Sequence, residues 1–486
     1  MVGLLVPDAS HPTGYTTFPV TVGPDSSFSV AGVPFGSYFI EIDQTSTRQN
    51  AVPNSNGDTQ VAVVERTLYE ASTSTPDLSI VVSKRPDVQT LDFASDTTRV
   101  QINLTGLSPF VAGDVFRMGS SQNALNAAFT SSDFSPRIAA GSTSVSTSLF
   151  WEPEAFGVFP DASKGDSEYF WQRGTQALAS DATLSVTKSF VKLTGFTVVA
   201  GAANTLTATL AAPPLTGSFT ADLRLSQFAA LASSVHPGAT PSANTTFPPD
   251  VAIDSVAHSL TFPDQPINQL PGRFLTFFDS ELQGVNLEAP ETFFQEVALT
   301  TTTLATDVDY GNIAHARFFD SLWQESAQIF YSWDVPLPVG GAGSAIIPSG
   351  GIYRAFIPRA LLPNPVVPEI GPPTAPLING ADAFAFQSGV GTQPVISWSA
   401  PSLGAATRYK LLIASSKQFN SGELAQLSVV LYDQISFRVP GDFLESGNFY
   451  YSAITASRSP DRLDDPILRL GSPTYEVDAL VGFFQP

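Results

Sequence analysis

Pro394-Val395-Ile396-Ser397-Trp398-Ser399-Ala400-Pro401 decides the fold class: a short apolar run carries a Trp near its end and is closed by proline. Eight residues on, Tyr409, Leu411 and Ile413 alternate in "YKLLI". Leu444-Glu445-Ser446-Gly447-Asn448-Phe449-Tyr450 then leads into a run with Ser452, Ile454 and Ala456 on one face. Period-two alternation over short runs bounded by turn residues marks strands with one covered face. These residues describe an antiparallel β-sandwich with Trp398 at its centre. Tyr450 stands six residues after Leu444, where its hydroxyl can tie back to the backbone as a tyrosine corner.

The stretch resembles a fibronectin type III module. It departs from that pattern at Ser446, where many members carry Pro, and at Ser452, where an apolar residue is commoner. The resemblance implies a module that displays, spaces or binds rather than one that catalyses. No Arg-Gly-Asp is present, so integrin-type adhesion is not implied.

Composition extends the β reading to the whole chain. Charged residues make up 14% of the 486, well below the roughly 25% of an average globular protein. The polar surface must therefore come from Ser, Thr, Asn and Gln, which suit half-exposed strands. Thirty-nine Pro and 35 Gly interrupt long helices and supply frequent turns. Hydrophobic residues reach 43%, enough for several cores. The expected fold class is all-β, a tandem of antiparallel β-sandwiches. Short helical turns are expected only at Ser226–Ser234 and Gln122–Ala128.

A net charge of −21 and the absence of any basic run beyond Lys84-Arg85 disfavour nucleic acid and anionic lipid as partners. With no Cys, disulfides, Cys-ligated zinc and thiol nucleophiles are excluded. No run approaches the roughly 18–20 apolar residues of a membrane span, and no basic-then-apolar leader opens the chain. Any export signal or lipid anchor is expected to lie outside this chain.

Five segments are expected. Residues 1–46 end in Phe28-Ser29-Val30-Ala31-Gly32-Val33-Pro34-Phe35-Gly36-Ser37-Tyr38-Phe39-Ile40-Glu41-Ile42, read as a hairpin that buries Tyr38, Ile40 and Ile42. This run resembles the closing strands of the carboxypeptidase-regulatory-like, prealbumin-type sandwich. Residues 47–195 and 196–357 form two central β domains. Each is introduced by a similar strand and turn, Arg99–Leu104 and Asn204–Leu210, with one single central domain as the alternative. Residues 358–376, with seven prolines in "PRALLPNPVVPEIGPPTAP", are a semi-rigid polyproline spacer. Residues 377–486 are the fibronectin-like end. Taken in order, "GVPFGSY", "RPDV", "LTGLSPF", "LSQFAAL" and "VHPGA" resemble secreted or lipoprotein-like proteins of myxobacterial type, which implies an extracellular or cell-surface location.

Candidate sites are few. The four His, at 11, 236, 258 and 315, show no metal-ligand spacing, and neither a Gly-x-Ser-x-Gly elbow nor a phosphate-cradling loop occurs. Spatial clusters from distant segments stay open at this stage. Asp307, Asp309 and Asn312 place oxygens at alternate positions as in a hard-cation loop, but the remaining ligands of a calcium loop are missing, and a structural turn is the plainer reading. Trp151, Glu152, Glu154 and Trp171 form an aromatic–acidic stretch of the kind that stacks and hydrogen-bonds sugars. In a sandwich such aromatics more often fill the core. No cofactor is expected. The leading expectation is a non-enzymatic binding or scaffold protein, partnered by another protein or a polysaccharide surface. A polysaccharide-binding or polysaccharide-degrading protein is the alternative.

Overall fold

The computed structural model describes residues 2–22, 28–34, 37–49, 60–72, 98–120, 126–130, 137–150, 159–243, 249–256, 293–319, 324–339, 343–415, 423–432, 434–458 and 474–486. The fold is all-β, with several antiparallel sheets.

Among the described residues, one hydrogen-bonded sheet holds eighteen strands. From one end, Tyr15–Phe18, Val2–Pro7, Ser37–Gln49 and Gln60–Ser72 pair antiparallel in turn. Gln60–Ser72 then lies parallel to Glu423–Leu431, Ala62 opposite Glu423. The ladder continues antiparallel through Arg408–Ser415, Tyr450–Arg458 and Thr474–Gln485. From Thr474–Gln485 it crosses to Gly343–Pro358, Gln324–Val339, Asp250–Val256, Phe293–Thr301 and Ala182–Leu193. It finishes through Glu168–Ala179, Val115–Gly119 and Asn126–Thr130.

The C-terminal sandwich is present as expected. A four-stranded sheet contains Val395–Ser399, and Trp398 packs from it against Tyr409 of the large sheet, ring centroids 5.5 Å apart. Leu411, Ile413, Ile454 and Ala456 are fully buried in the same core. Burying each side chain of Leu or Ile size contributes about 1.5–3 kcal/mol. The Glu445 backbone N–H donates to the Tyr450 hydroxyl at 2.9 Å, which closes the tyrosine corner. Buried Ser452 sits on the inward face that its position in the alternation requires.

Several expectations are corrected. Phe28–Ser29 pairs with Thr21–Val22, while Ser37–Gln49 pairs with Val2–Pro7 and Gln60–Ser72, so the 28–42 hairpin does not form. On that second strand Phe39 is the buried residue and Tyr38 and Ile40 are half-buried. Phe39 packs on Tyr15 and on Phe437 of the C-terminal sandwich, which supplies a cover that a local hairpin lacks. Arg99–Thr105 and Ala203–Thr209, read as the openings of two domains, lie side by side and parallel in one three-stranded sheet with Ser144–Phe150. Val100, Ile102, Leu104, Leu206 and Leu210 share its core. Residues 126–130 form a strand instead of a helical turn. The helices at Leu225–Ala230 and Ala232–Val235 stand where expected.

The proline-rich run is packed rather than held away from the body. Val366 and Ile370 are buried, and the Val366 N–H donates to the Asp222 carbonyl. Its apolar Val and Ile side chains find a core within reach, and that burial outweighs the stiffness of the prolines.

Candidate functional site

A two-stranded sheet, Gly217–Leu223 with Val308–His315, carries the residues that build the most chemically varied site among those described. His315 ends its strand directly opposite Gly217. Its imidazole occupies the space that a side chain at 217 would need: a Cβ built there would lie 2.2 Å from Cε1. The ring is thereby held inward, and the side chain has no solvent exposure.

Glu296 and Glu325 come from the large sheet. Asp250–Val256 pairs with Phe293–Thr301 on one side and with Gln324–Val339 on the other. The register slips between Ile253 and Asp254, and Glu296 is the residue left over on the partner strand. A β-bulge of this kind re-aims one side chain out of the alternation, and the Glu296 side chain is completely buried. One Glu296 carboxylate oxygen (Oε2) lies 3.5 Å from His315 Nδ1, which also sits 3.3 Å from the Ala316 carbonyl. Glu296, His315 and Glu325 each offer one ligand atom, and these atoms all lie within 4.8 Å of one another.

Glu325 is fixed from outside by two arginines. Arg317 Nε is 3.4 Å from Oε1 and Arg359 Nη1 is 2.5 Å from Oε2. Arg359 also donates to the Ser218 carbonyl. These guanidinium contacts hold the carboxylate in one orientation. Glu325, Arg317 and Arg359 line an open cleft of about 590 Å³, together with Thr220, Asn312 and Asn364.

Burial pushes the His315 imidazole below its ordinary value of 6.5. The charges of Arg359 and Arg317 act in the same direction, and the Ala316 carbonyl and Glu325 act against it. The ring is therefore neutral at physiological pH. A neutral imidazole beside two carboxylates, with a guanidinium-lined opening, can accept a proton or donate a lone pair.

The residues singled out from sequence lie elsewhere. Trp151, Glu152 and Glu154 fall outside the described residues, as does His258. Trp171 is buried in an aromatic cluster with Tyr169, Phe318 and Phe319, its ring 5.4 Å from that of Phe319. It presents no face on which a sugar could stack. The Asp307 carboxylate accepts from the Ser226 N–H at 3.0 Å and pairs with Arg224, and Asp309 accepts from the Gly311 N–H in an Asx turn. Asn312 is a strand residue opposite Thr220 and lines the arginine cleft. Of the other histidines, His11 is exposed on a turn, and His236 is buried with Nδ1 2.6 Å from the Pro237 carbonyl.

Sequence reasoning passed over Glu296, Glu325, Arg317 and Arg359. One signal was available: Phe293-Phe294-Gln295-Glu296-Val297-Ala298-Leu299 places a carboxylate inside an apolar strand, and such a residue needs a buried partner.

No family model matches the chain. No curated protein matches it either. Among solved structures it is similar to the FN1-FN3 domains of chicken CNTN1, at 9% identity, covering 84% of this chain and all of that one, with a TM-score of 0.13.

Proposed function

We propose that this chain is a non-enzymatic binding or scaffold protein that works outside the cell or on its surface. The observation that carries the reading is the continuity of the large sheet. Strands from the first 72 residues, the central region and the C-terminal sandwich share one hydrogen-bonded ladder. Such a ladder transmits load and fixes the spacing of whatever is attached to its ends, which is what a scaffold requires. A low charge content and a Ser/Thr-rich composition fit an exported protein. The partner is a protein or a polysaccharide surface. The polysaccharide alternative loses Trp171 as a stacking platform and rests on Trp151, Glu152 and Glu154.

Two experiments test this reading. Protease shaving of intact source cells should remove the protein from their surface, or it should be found in the medium; retention inside shaved cells overturns the location. The purified chain should bind a component of the surface extract or a glycan array without turning over ester, glycoside or phosphoester substrates. Turnover by the wild type overturns the non-enzymatic reading. Glycan binding lost in a folded Trp151→Ala variant would move the protein to the polysaccharide class.

A further inference from the structure

We propose that Glu296, His315 and Glu325 form a binding site for one divalent transition-metal ion of the zinc class. The site offers one imidazole nitrogen and two carboxylate oxygens within 4.8 Å of one another, so that small side-chain rotations bring them to the roughly 3.3 Å spacing of ligands around one tetrahedral ion. An imidazole in the set selects zinc, manganese, iron or cobalt over calcium, which takes oxygen ligands alone.

The second observation is the state of the histidine. His315 Nε2 is buried and has no hydrogen-bond partner. A buried polar nitrogen left in that condition is unfavourable, and a metal ion would satisfy its lone pair. The other ring nitrogen faces the Ala316 carbonyl, 3.3 Å away. Metal-bound histidines are oriented in this way, one nitrogen on a carbonyl or carboxylate and the other on the ion.

The arginines do not argue against the ion. A carboxylate oxygen has two lone pairs, so Glu325 can bind metal while Arg317 and Arg359 hold it from outside, as outer-shell groups do for ligating carboxylates. Glu325 is the member of the trio that lines the cleft, so the ion enters there. The site is independent of the scaffold reading and would stand if that reading failed.

The test is zinc binding by the chelator-stripped full chain, measured by titration calorimetry and by metal content after dialysis. Wild type should retain one equivalent of Zn²⁺. His315→Ala and Glu325→Gln should each bind at least about tenfold more weakly, while His11→Ala should bind as wild type does. No retained zinc in the wild type overturns the proposal, as does unchanged affinity in folded His315→Ala. Should the ligand variants fail to fold, X-ray absorption at the zinc edge of the wild-type protein decides. One imidazole with oxygen neighbours supports the site; no imidazole, or two, overturns it.

Discussion

His315 and Gly217 share one space: in the strand pair they face each other, and a Cβ at 217 would sit 2.5 Å from His315 Nε2. Glycine is required here for close approach and not for its backbone angle. Gly217→Ala should therefore displace the ring and destabilise the protein by about 1–3 kcal/mol, the usual cost of overpacking. The urea midpoint should fall accordingly. In Gly217→Ala/His315→Ala the penalty should be smaller than the sum of the single changes, since the clash is removed. Additive losses would separate the two residues energetically.

Arg359 holds Glu325 with one nitrogen and the Ser218 carbonyl with another. Removing one partner of a fully buried ion pair costs about 3–5 kcal/mol. Arg359 is 24% exposed, so Arg359→Ala should cost roughly half that. Arg359→Lys should recover little, because one ammonium cannot reproduce the two-pronged geometry. Urea unfolding of the two variants checks both statements.

Acid should weaken the fold before the carboxylates titrate. His315 and His236 are both held below 6.5 by burial, His315 facing Arg359, Arg317 and Glu325, and His236 facing Asp382. Below about pH 6.5 the unfolded chain takes up protons that the folded chain refuses. Stability is then complete above that pH and declines as pH falls, with a slope of at most about 1.4 kcal/mol per pH unit for each histidine. Urea midpoints between pH 7.5 and 5.5 should show the decline. A flat profile would contradict burial of both rings.

The tyrosine corner should be worth a measurable amount. Tyr450 is 2% exposed, and its hydroxyl accepts the Glu445 N–H. Tyr450→Phe deletes that acceptor without changing the packing and should cost about 1–2 kcal/mol. Trp398→Ala, which empties the centre of the same sandwich, should cost about 3–5 kcal/mol. The ordering of the two variants in thermal unfolding is the decisive readout.

Gln60–Ser72 covers one edge of Glu423–Leu431, and the Glu70 carboxylate accepts from the Tyr432 N–H at 2.7 Å and from the Gln434 side-chain amide. Deleting residues 1–72 should bare that edge and cause self-association, visible as oligomers in light scattering at concentrations where the intact chain is uniform.

What could be read from sequence follows the range of the interactions. The alternation at Arg99–Leu104 and Tyr409–Ile413, the Trp398 core and the Tyr450 corner depend on neighbours a few residues away, and all are realised. The strand partners of Ser37–Gln49, the parallel alignment of Arg99–Thr105 with Ala203–Thr209 and the burial of Val366 and Ile370 depend on distant segments that leave no local trace. The same holds for the site. His315 looks like any isolated histidine until Gly217, Glu296 and Glu325 are brought to it from three other strands. Trp171 stood out because aromatic residues beside acids look like a sugar platform, whereas Phe318 and Phe319 cover it.

The parallel join between Gln60–Ser72 and Glu423–Leu431 also dictates when this protein can finish folding. During synthesis the first strands leave the ribosome on the order of tens of seconds before their partner exists. Throughout that interval Leu68 and Phe39 lack the surface that later buries them. Contacts between such distant segments form slowly even in the complete chain. The meeting of Gln60–Ser72 with Glu423–Leu431 is therefore a late step, and conditions that shield Gln60–Ser72 until then should raise the yield of native protein more than conditions that stabilise the finished fold.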